Sequence, residues 1–255
     1  MKRTKGRKPE SYVDRSYRAL AEHDLISCFA KVKDSDLHIL ADKDVSASAL
    51  ELVLRYRLQI EHYIKGRPEF LGALSPLAPD ILAPPIVKDM LAAGRMADVG
   101  PMAAVAGAIA EYVGKALLQG GCREVIVENG GDIFFCRTKE CTAAIFAGES
   151  PLSMKVGIKL AAARMPVGVC TSSGTVGHSL SFGLADAVVV IAGSTSLADA
   201  AATRVGNEAG NATNSDEGIK RALQVAMTIA GVQGAVVIRG EKIGAVGDVE
   251  LVKLS

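Results

Sequence analysis

Three places in the chain carry residue types able to hold a cation or a phosphate. On the stretch from Cys170 to Asn207, Asp199 and Thr203 lie four apart within a helix-forming run, Leu197 to Val205, so their oxygens share one face. A carboxylate and a hydroxyl so placed offer the oxygen ligands that a hard cation prefers. The same residues also read as helix capping. Ser194, Thr195 and Ser196 all offer N-cap oxygens; with Ser196 as N-cap, Asp199 is the third helical residue, where an acid completes a capping box at the positive helix end. Further upstream, Asn129-Gly130-Gly131-Asp132 sits between two apolar runs. A Gly-Gly pair is commonly just a tight hairpin turn. Its chemical use is to present backbone N–H groups to an anion, with Asn129 and Asp132 oriented beside it. The third place is the small-residue turn after Cys170, which leads to a lone histidine, His178. His23, His38 and His62 have no companions of ligand type.

The elements that must position these residues follow from periodicity. Leu25 to Lys33 and Leu37 to Ala41 read as two strands around a turn at Asp34 to Asp36. From Ser46 to Lys65, Leu50, Val53, Leu54, Leu58, Ile60 and Ile64 recur at helical spacing, with Ser46 or Ser48 as cap. Five prolines between Arg67 and Pro85 forbid one regular element there and predict an ordered connector. Helices are expected over Lys88 to Ala97 and over the Ala-rich run Met102 to Leu118, whose small residues permit close approach. Strands follow at Glu124 to Val127, Thr142 to Gly148, Val156 to Ala161, Val167 to Thr171 and Leu184 to Ala192. Gly206 suits the end of the helix that carries Asp199. The chain closes with a helix from Ser215 capped by Ser215 or Asp216, a hairpin about Gly240-Glu241, and a last strand from Val249 to Leu254. Hairpins in both halves favour an α+β antiparallel architecture over a doubly wound parallel sheet.

Composition narrows the function. The chain has 255 residues, 49% hydrophobic and 22% charged, as in a globular protein. Aromatics are 4%, tryptophan is absent and the formal net charge is +1, so neither stacking platforms nor a basic footprint for nucleic acid are supplied. Five cysteines without C-x-x-C spacing point to reduced thiols; Cys136 and Cys141 read as strand-end residues. No apolar h-region follows the basic opening, and no apolar run is expected to span a membrane, so a cytoplasmic setting is expected. Residues 1–10 read as a basic tail, and 11–255 as a single domain of two halves.

Three stretches in order resemble the ApbE-like family, the FAD:protein FMN transferases. They are GAIAEYVGKALLQGG (107–121) leading into VENGGDI (127–133), TSSG (171–174) with His178, and LADAAAT (197–203). The resemblance covers roughly the C-terminal three-fifths of the chain. It implies duplicated antiparallel sheet-and-helix halves related to the tunnelling fold, with a flavin-nucleotide site between them. It implies magnesium on Asp199, Thr203 and the backbone carbonyl of Ala110. Asn129, Gly130, Gly131 and Asp132 would contact the flavin nucleotide, as would Thr171, Ser172 and Gly174. Cutting the pyrophosphate of FAD and passing FMN to a hydroxyl needs a cation on the phosphates. Asp199 and His178 would serve catalysis, since a histidine titrates near neutrality and can contact a phosphate or move a proton. A hydrogen-bonded loop histidine is the alternative for His178.

The chain also departs from the family pattern. Glu111 and Tyr112 stand where the family has a lysine and a glycine, and Ser179 to Gly183 replace an Asp-Pro…Thr-Gly segment. An acid in place of that lysine would repel a phosphate-rich ligand. Two functions are therefore expected: a magnesium-dependent, flavin- or nucleotide-handling transferase or FAD pyrophosphate hydrolase, or a non-catalytic flavin- or nucleotide-binding protein acting with a metabolic partner. A small nucleotide ligand is common to both, and the reading leaves room for a protein partner or for self-association.

Overall fold

The computed structural model describes residues 24–172, 185–210 and 214–254. Runs with period two become strands, and every strand pairs antiparallel. Strands β1 (Ile26–Val32) and β2 (Ser35–Ala41) form the first hairpin. Its turn is Lys33-Asp34, one residue earlier than the sequence suggests, with Lys33 at φ 53°. Then come α1 (Ser46–Gly66), a single turn α2 (Glu69–Gly72) inside the proline-rich connector, α3 (Pro85–Ala97) and α4 (Val105–Gln119). The hairpin of β3 (Val125–Asn129) and β4 (Asp132–Cys136) follows. After β5 (Cys141–Ala144) and β6 (Val156–Leu160), the chain continues through β7 (Val167–Ser172), β8 (Ala187–Ala192), α5 (Thr195–Gly210), α6 (Ser215–Ala226), β9 (Val232–Arg239), β10 (Lys242–Gly247) and β11 (Glu250–Lys253).

Eight strands form one sheet in the order β1-β2-β3-β4-β7-β8-β9-β10, and β11-β6-β5 form a smaller one. The large sheet repeats one plan twice: two strands, helices, two strands. The first copy runs β1-β2, α1 to α4, β3-β4; the second runs β7-β8, α5-α6, β9-β10. This is the duplicated α+β arrangement expected from sequence. The helices cover one face of the large sheet, and the smaller sheet packs on the other. Alternation sorts the side chains: Val125, Val127, Val188 and Val190 join the helix-side core, while Ile126, Val189 and Ile191 join the second. Each such buried Val or Ile contributes about 1.5–3 kcal/mol, which fixes the register against a one-residue slip.

Several local expectations are corrected. On α1 only Ala49, Leu52, Val53 and Ile60 are buried; Leu50, Leu54 and Leu58 lie on the exposed side of the apolar stripe. Neither Ser46 nor Ser48 caps α1 with its side chain; Asp44 instead accepts from the Ser46 amide and hydroxyl at 2.9 and 2.6 Å. The cap of α6 is Asn214, whose side chain accepts from the Asp216 amide. Gly206 does not end α5 but lies buried within it. Cys136 ends β4 and Cys141 begins β5, as expected. Among the described residues one stretch, Pro101–Gln119, is long and apolar enough to cross a membrane by length and composition; more than half of it is buried within the fold.

Candidate functional site

The site is built where α5 meets α4 and the sheet. Helix α5 starts at Thr195, because Ser194 caps it: its Oγ accepts from the Leu197 amide at 3.3 Å and its carbonyl from the Ala198 amide at 3.0 Å. Asp199 is therefore the fifth helical residue, and the capping box with Ser196 does not form. Its carboxylate instead reaches another helix. Asp199 Oδ2 accepts from the Gly107 amide at 2.8 Å and lies against the Ala106 amide, in the first turn of α4, which has no side-chain cap of its own. Glycine at 107 is what allows this approach. A Cβ there would lie 2.8 Å from Asp199 Cβ and closer still to the Thr195 carbonyl. Gly168 on β7 does the same on the opposite side, where a Cβ would lie 2.5 Å from Thr195 Cα.

The first turn of α5 is satisfied in return by α4. Glu111 is 2% exposed, and its Oε2 accepts from Ser194 Oγ, Ser196 N and Ser196 Oγ at 3.0, 3.0 and 3.1 Å. Lys115 donates to Oε1 at 2.6 Å. The acid expected to repel a phosphate is thus committed to the positive end of α5. Tyr112, the other departure from the family pattern, packs edge-on against Tyr56 and donates to Asp89 at 2.7 Å, tying α4 to α1 and α3.

The two turns singled out in the sequence come together. Gly130 and Gly131 take φ 72° and 103° in a two-residue hairpin turn, with Asn129 and Asp132 facing each other across it. Thr171 N donates to Gly131 O at 3.2 Å, so the end of β7 lies against this turn. Asn129 Nδ2 donates to Ala106 O at 3.0 Å, linking the turn to the start of α4. The Gly131 amide, one of the N–H groups offered to an anion in the sequence reading, donates to Glu128 Oε1 at 2.9 Å. Thr203 is half-buried one turn beyond Asp199, and Ala110 is fully buried one turn beyond Gly107 on α4. Gly174 and His178 lie outside the described residues.

Asp132 and Asp199 dominate the electrostatics. Burial pushes the Asp199 carboxyl up to about 7, against the opposing pull of the Gly107 and Ala106 amides. Asp132 is raised well above the usual carboxylate range, first by burial and then by the Asp199 charge; Glu128 adds to this, while the Cys170 thiol and Thr171 amide oppose it. Among the described residues no base contributes to either carboxyl. Asp132 Oδ1 and Ser172 Oγ are buried without a hydrogen-bond partner. The Cys170 thiol donates to Thr195 O at 3.4 Å, and burial beside the two acids pushes its pKa up, which disfavours the thiolate. No three His, Cys, Asp or Glu side chains cluster as a metal set among the described residues. Two buried carboxyls, one with an orphaned oxygen, and no base among the described residues nevertheless suit an oxygen-liganded divalent cation. Neither of two surface cavities, about 230 Å³ beside Arg123 and about 380 Å³ between α1 and α4, includes these residues. The sequence reading missed Glu111 as a cap and Gly107 as the partner of Asp199; the small-residue run of α4 was the available signal for the latter.

Two repeated antiparallel halves with this acidic corner between α4 and α5 have the fold of the ApbE flavin transferases. The flavinyl transferase ApbE of Pseudomonas stutzeri, in its apo form, superposes with a TM-score of 0.52 at 14% identity over 87% of this chain and 94% of its own. The ApbE protein of Thermotoga maritima gives 0.53 at 11% identity over 86% and 96%. At these identities the likeness is one of fold. A family model described as "AbpE bacteria" matches residues 18–245, and the chain belongs to that family. It is also similar to proteins named UPF0280 protein. That of Methanococcus aeolicus is 43% identical over 221 residues, 86% of this chain and 88% of its own. That of Methanocaldococcus jannaschii is 44% identical over 215 residues, 83% and 86% respectively.

Proposed function

We propose that the protein is a magnesium-dependent, flavin-nucleotide-handling enzyme that cleaves the pyrophosphate of FAD. The observation that carries this reading is the pair of buried acids, Asp132 and Asp199, set beside the Gly130-Gly131 turn with no base among the described residues to neutralise them. Asp199, Thr203 and the Ala110 carbonyl would hold the cation, which supplies charge neutralisation on the bridging and leaving phosphate oxygens. The chain's own part is orientation. The α4–α5 contact holds Asp199 at one place, and the Gly130-Gly131 turn with Thr171 and Ser172 offers small and polar groups on which a nucleotide can lie. The bond broken is a P–O bond of the phosphoanhydride. The bond formed joins the FMN phosphorus to the oxygen of an acceptor hydroxyl or of water, the acceptor proton is released, and AMP leaves.

The non-catalytic alternative drew on Glu111 and on the altered segment after His178. Glu111 now has a different employment, which removes one of the two reasons for it. A cytoplasmic setting remains part of the proposal. Incubation of the protein with FAD and Mg²⁺ should release AMP, and the Asp199→Ala variant should release none above the rate without Mg²⁺. Wild-type protein that binds FAD yet yields no AMP with any hydroxyl acceptor or water would replace the enzyme with a flavin-binding protein.

A further inference from the structure

We infer that Asp132 is a direct ligand of the divalent cation, sharing it with Asp199, and not a contact to the nucleotide. The inference rests on the cation reading above and adds to its ligand set a residue from the opposite side of the site.

Placement comes first. Asp132 alternates along β4 with Phe134, which lies in the helix-side core, so Asp132 faces the helices as well. Its cross-strand partner is Cys170, on the same face, and the Cys170 thiol reaches the Thr195 carbonyl at the first residue of α5. Asp199 follows one turn along α5 on the side that meets Gly107. The two carboxyls therefore face one corner, bounded by the start of β4, the end of β7 and the first turns of α4 and α5.

Unmet bonding comes second. Asp132 is 7% exposed, and its Oδ1 has no hydrogen-bond partner; Ser172, also 7% exposed, has an unpartnered Oγ two residues beyond Cys170 on the same face of β7. Buried polar atoms are ordinarily satisfied, and a buried carboxylate is satisfied by donors, by a base or by a metal. A base is lacking among the described residues around it. A protonated Oδ1 would need an acceptor, and none among the described residues is in reach of that atom. A nucleotide phosphate would bring more negative charge to a corner that already holds Asp199 and Glu128. A cation between Asp132 and Asp199 removes the repulsion and occupies the orphaned oxygen, leaving the phosphates to bind on its far side.

The test is metal binding on the full chain without substrate, with Mn²⁺ as the probe followed by electron paramagnetic resonance. Wild-type protein should bind Mn²⁺, and Asp132→Asn and Asp199→Asn should each weaken it by about tenfold or more. Asp132→Glu should retain more affinity than Asp132→Asn. FAD binding without metal, read by flavin fluorescence, should not be weakened in Asp132→Asn. A readout that needs no variant is ¹³C-carboxyl aspartate NMR of the wild type, in which Mg²⁺ should move two aspartate resonances. Mn²⁺ affinity in Asp132→Asn within twofold of wild type, or a single aspartate resonance moving, overturns the inference. FAD binding by a wild-type protein that takes no Mn²⁺ also overturns it while leaving a flavin function standing. Strong Mn²⁺ binding lost in Asp132→Asn, with no AMP released by wild type, supports it while removing the proposed reaction.

Discussion

Asp199 is an acid held where its charge is disfavoured, and this gives stability a definite pH dependence. Its carboxyl titrates near 3.8 when unperturbed and is pushed up to about 7 in the fold. Between those values the folded protein holds a proton that the unfolded chain has released, so stability falls as pH rises through this window and levels off above it. Asp132, raised for the same reasons, acts in the same sense. Urea unfolding in the presence of EDTA should show a midpoint that declines from about pH 4 to about pH 7, with a flatter profile in Asp199→Asn. An unchanged profile in that variant would mean that other groups set the slope. Glu111 behaves differently, as a charge matched to helix amides. Glu111→Ala should cost about 2–3 kcal/mol, because the Ser196 amide and two hydroxyls lose a charged acceptor at a helix N-terminus. Glu111→Gln, which keeps an acceptor, should recover part of the loss in the same denaturant titration. Asp199 and Thr203 were legible as an oxygen pair from their spacing alone. Their surroundings were not, because Gly107 is 92 residues away and Ser196 is 85 residues from Glu111. Local rules assign a carboxylate near a helix start to that helix, and here each acid serves the other one.

Among the elements, the close contact of α4 with α5 depends on having no side chain at position 107. Gly107→Ala would drive a methyl group against the Thr195 carbonyl and Asp199 Cβ. Overpacking of this kind costs about 1–3 kcal/mol, read from the urea midpoint, and should also lower Mn²⁺ affinity because Asp199 moves with α5. The exposed side of α1 gives the opposite expectation. Leu54 is 45% exposed, so Leu54→Lys should change stability by no more than about 0.5 kcal/mol. A larger loss would mean that this face is covered in solution. Strand and hairpin positions were largely readable, since alternation and the Gly130-Gly131 and Gly240-Glu241 turns are local signals. Helix ends were less so. Asp44 and Asn214 outcompeted the serines that pattern alone would choose for α1 and α6, whereas Ser194 was one of three capping candidates for α5; α5 ran through Gly206 because that residue is packed against neighbours and not exposed at an end.

In the whole molecule, the order of strands in the large sheet makes the duplication visible where no repeat of residues does. Two strands, helices and two strands recur because each copy must bury one sheet face under helices, a demand met by many unrelated apolar sequences. The α+β class was therefore legible from hairpins, while the eight-strand ladder and the small second sheet depended on pairings between distant segments. The exchange of carboxylates between α4 and α5 has a consequence for how the copies depend on each other. Helix α4 belongs to the first copy and α5 to the second, and each supplies a carboxylate to amides in the other's first turn. A lone copy would leave amides without acceptors and a buried acid without donors, so neither copy is an autonomous folding unit. Equilibrium unfolding should accordingly be one cooperative transition, with far-ultraviolet circular dichroism and tyrosine fluorescence coincident. A single copy alone could meet the same demand only by exchanging carboxylates with a second chain, so the covalent join between the copies makes internal what would otherwise be an association between molecules.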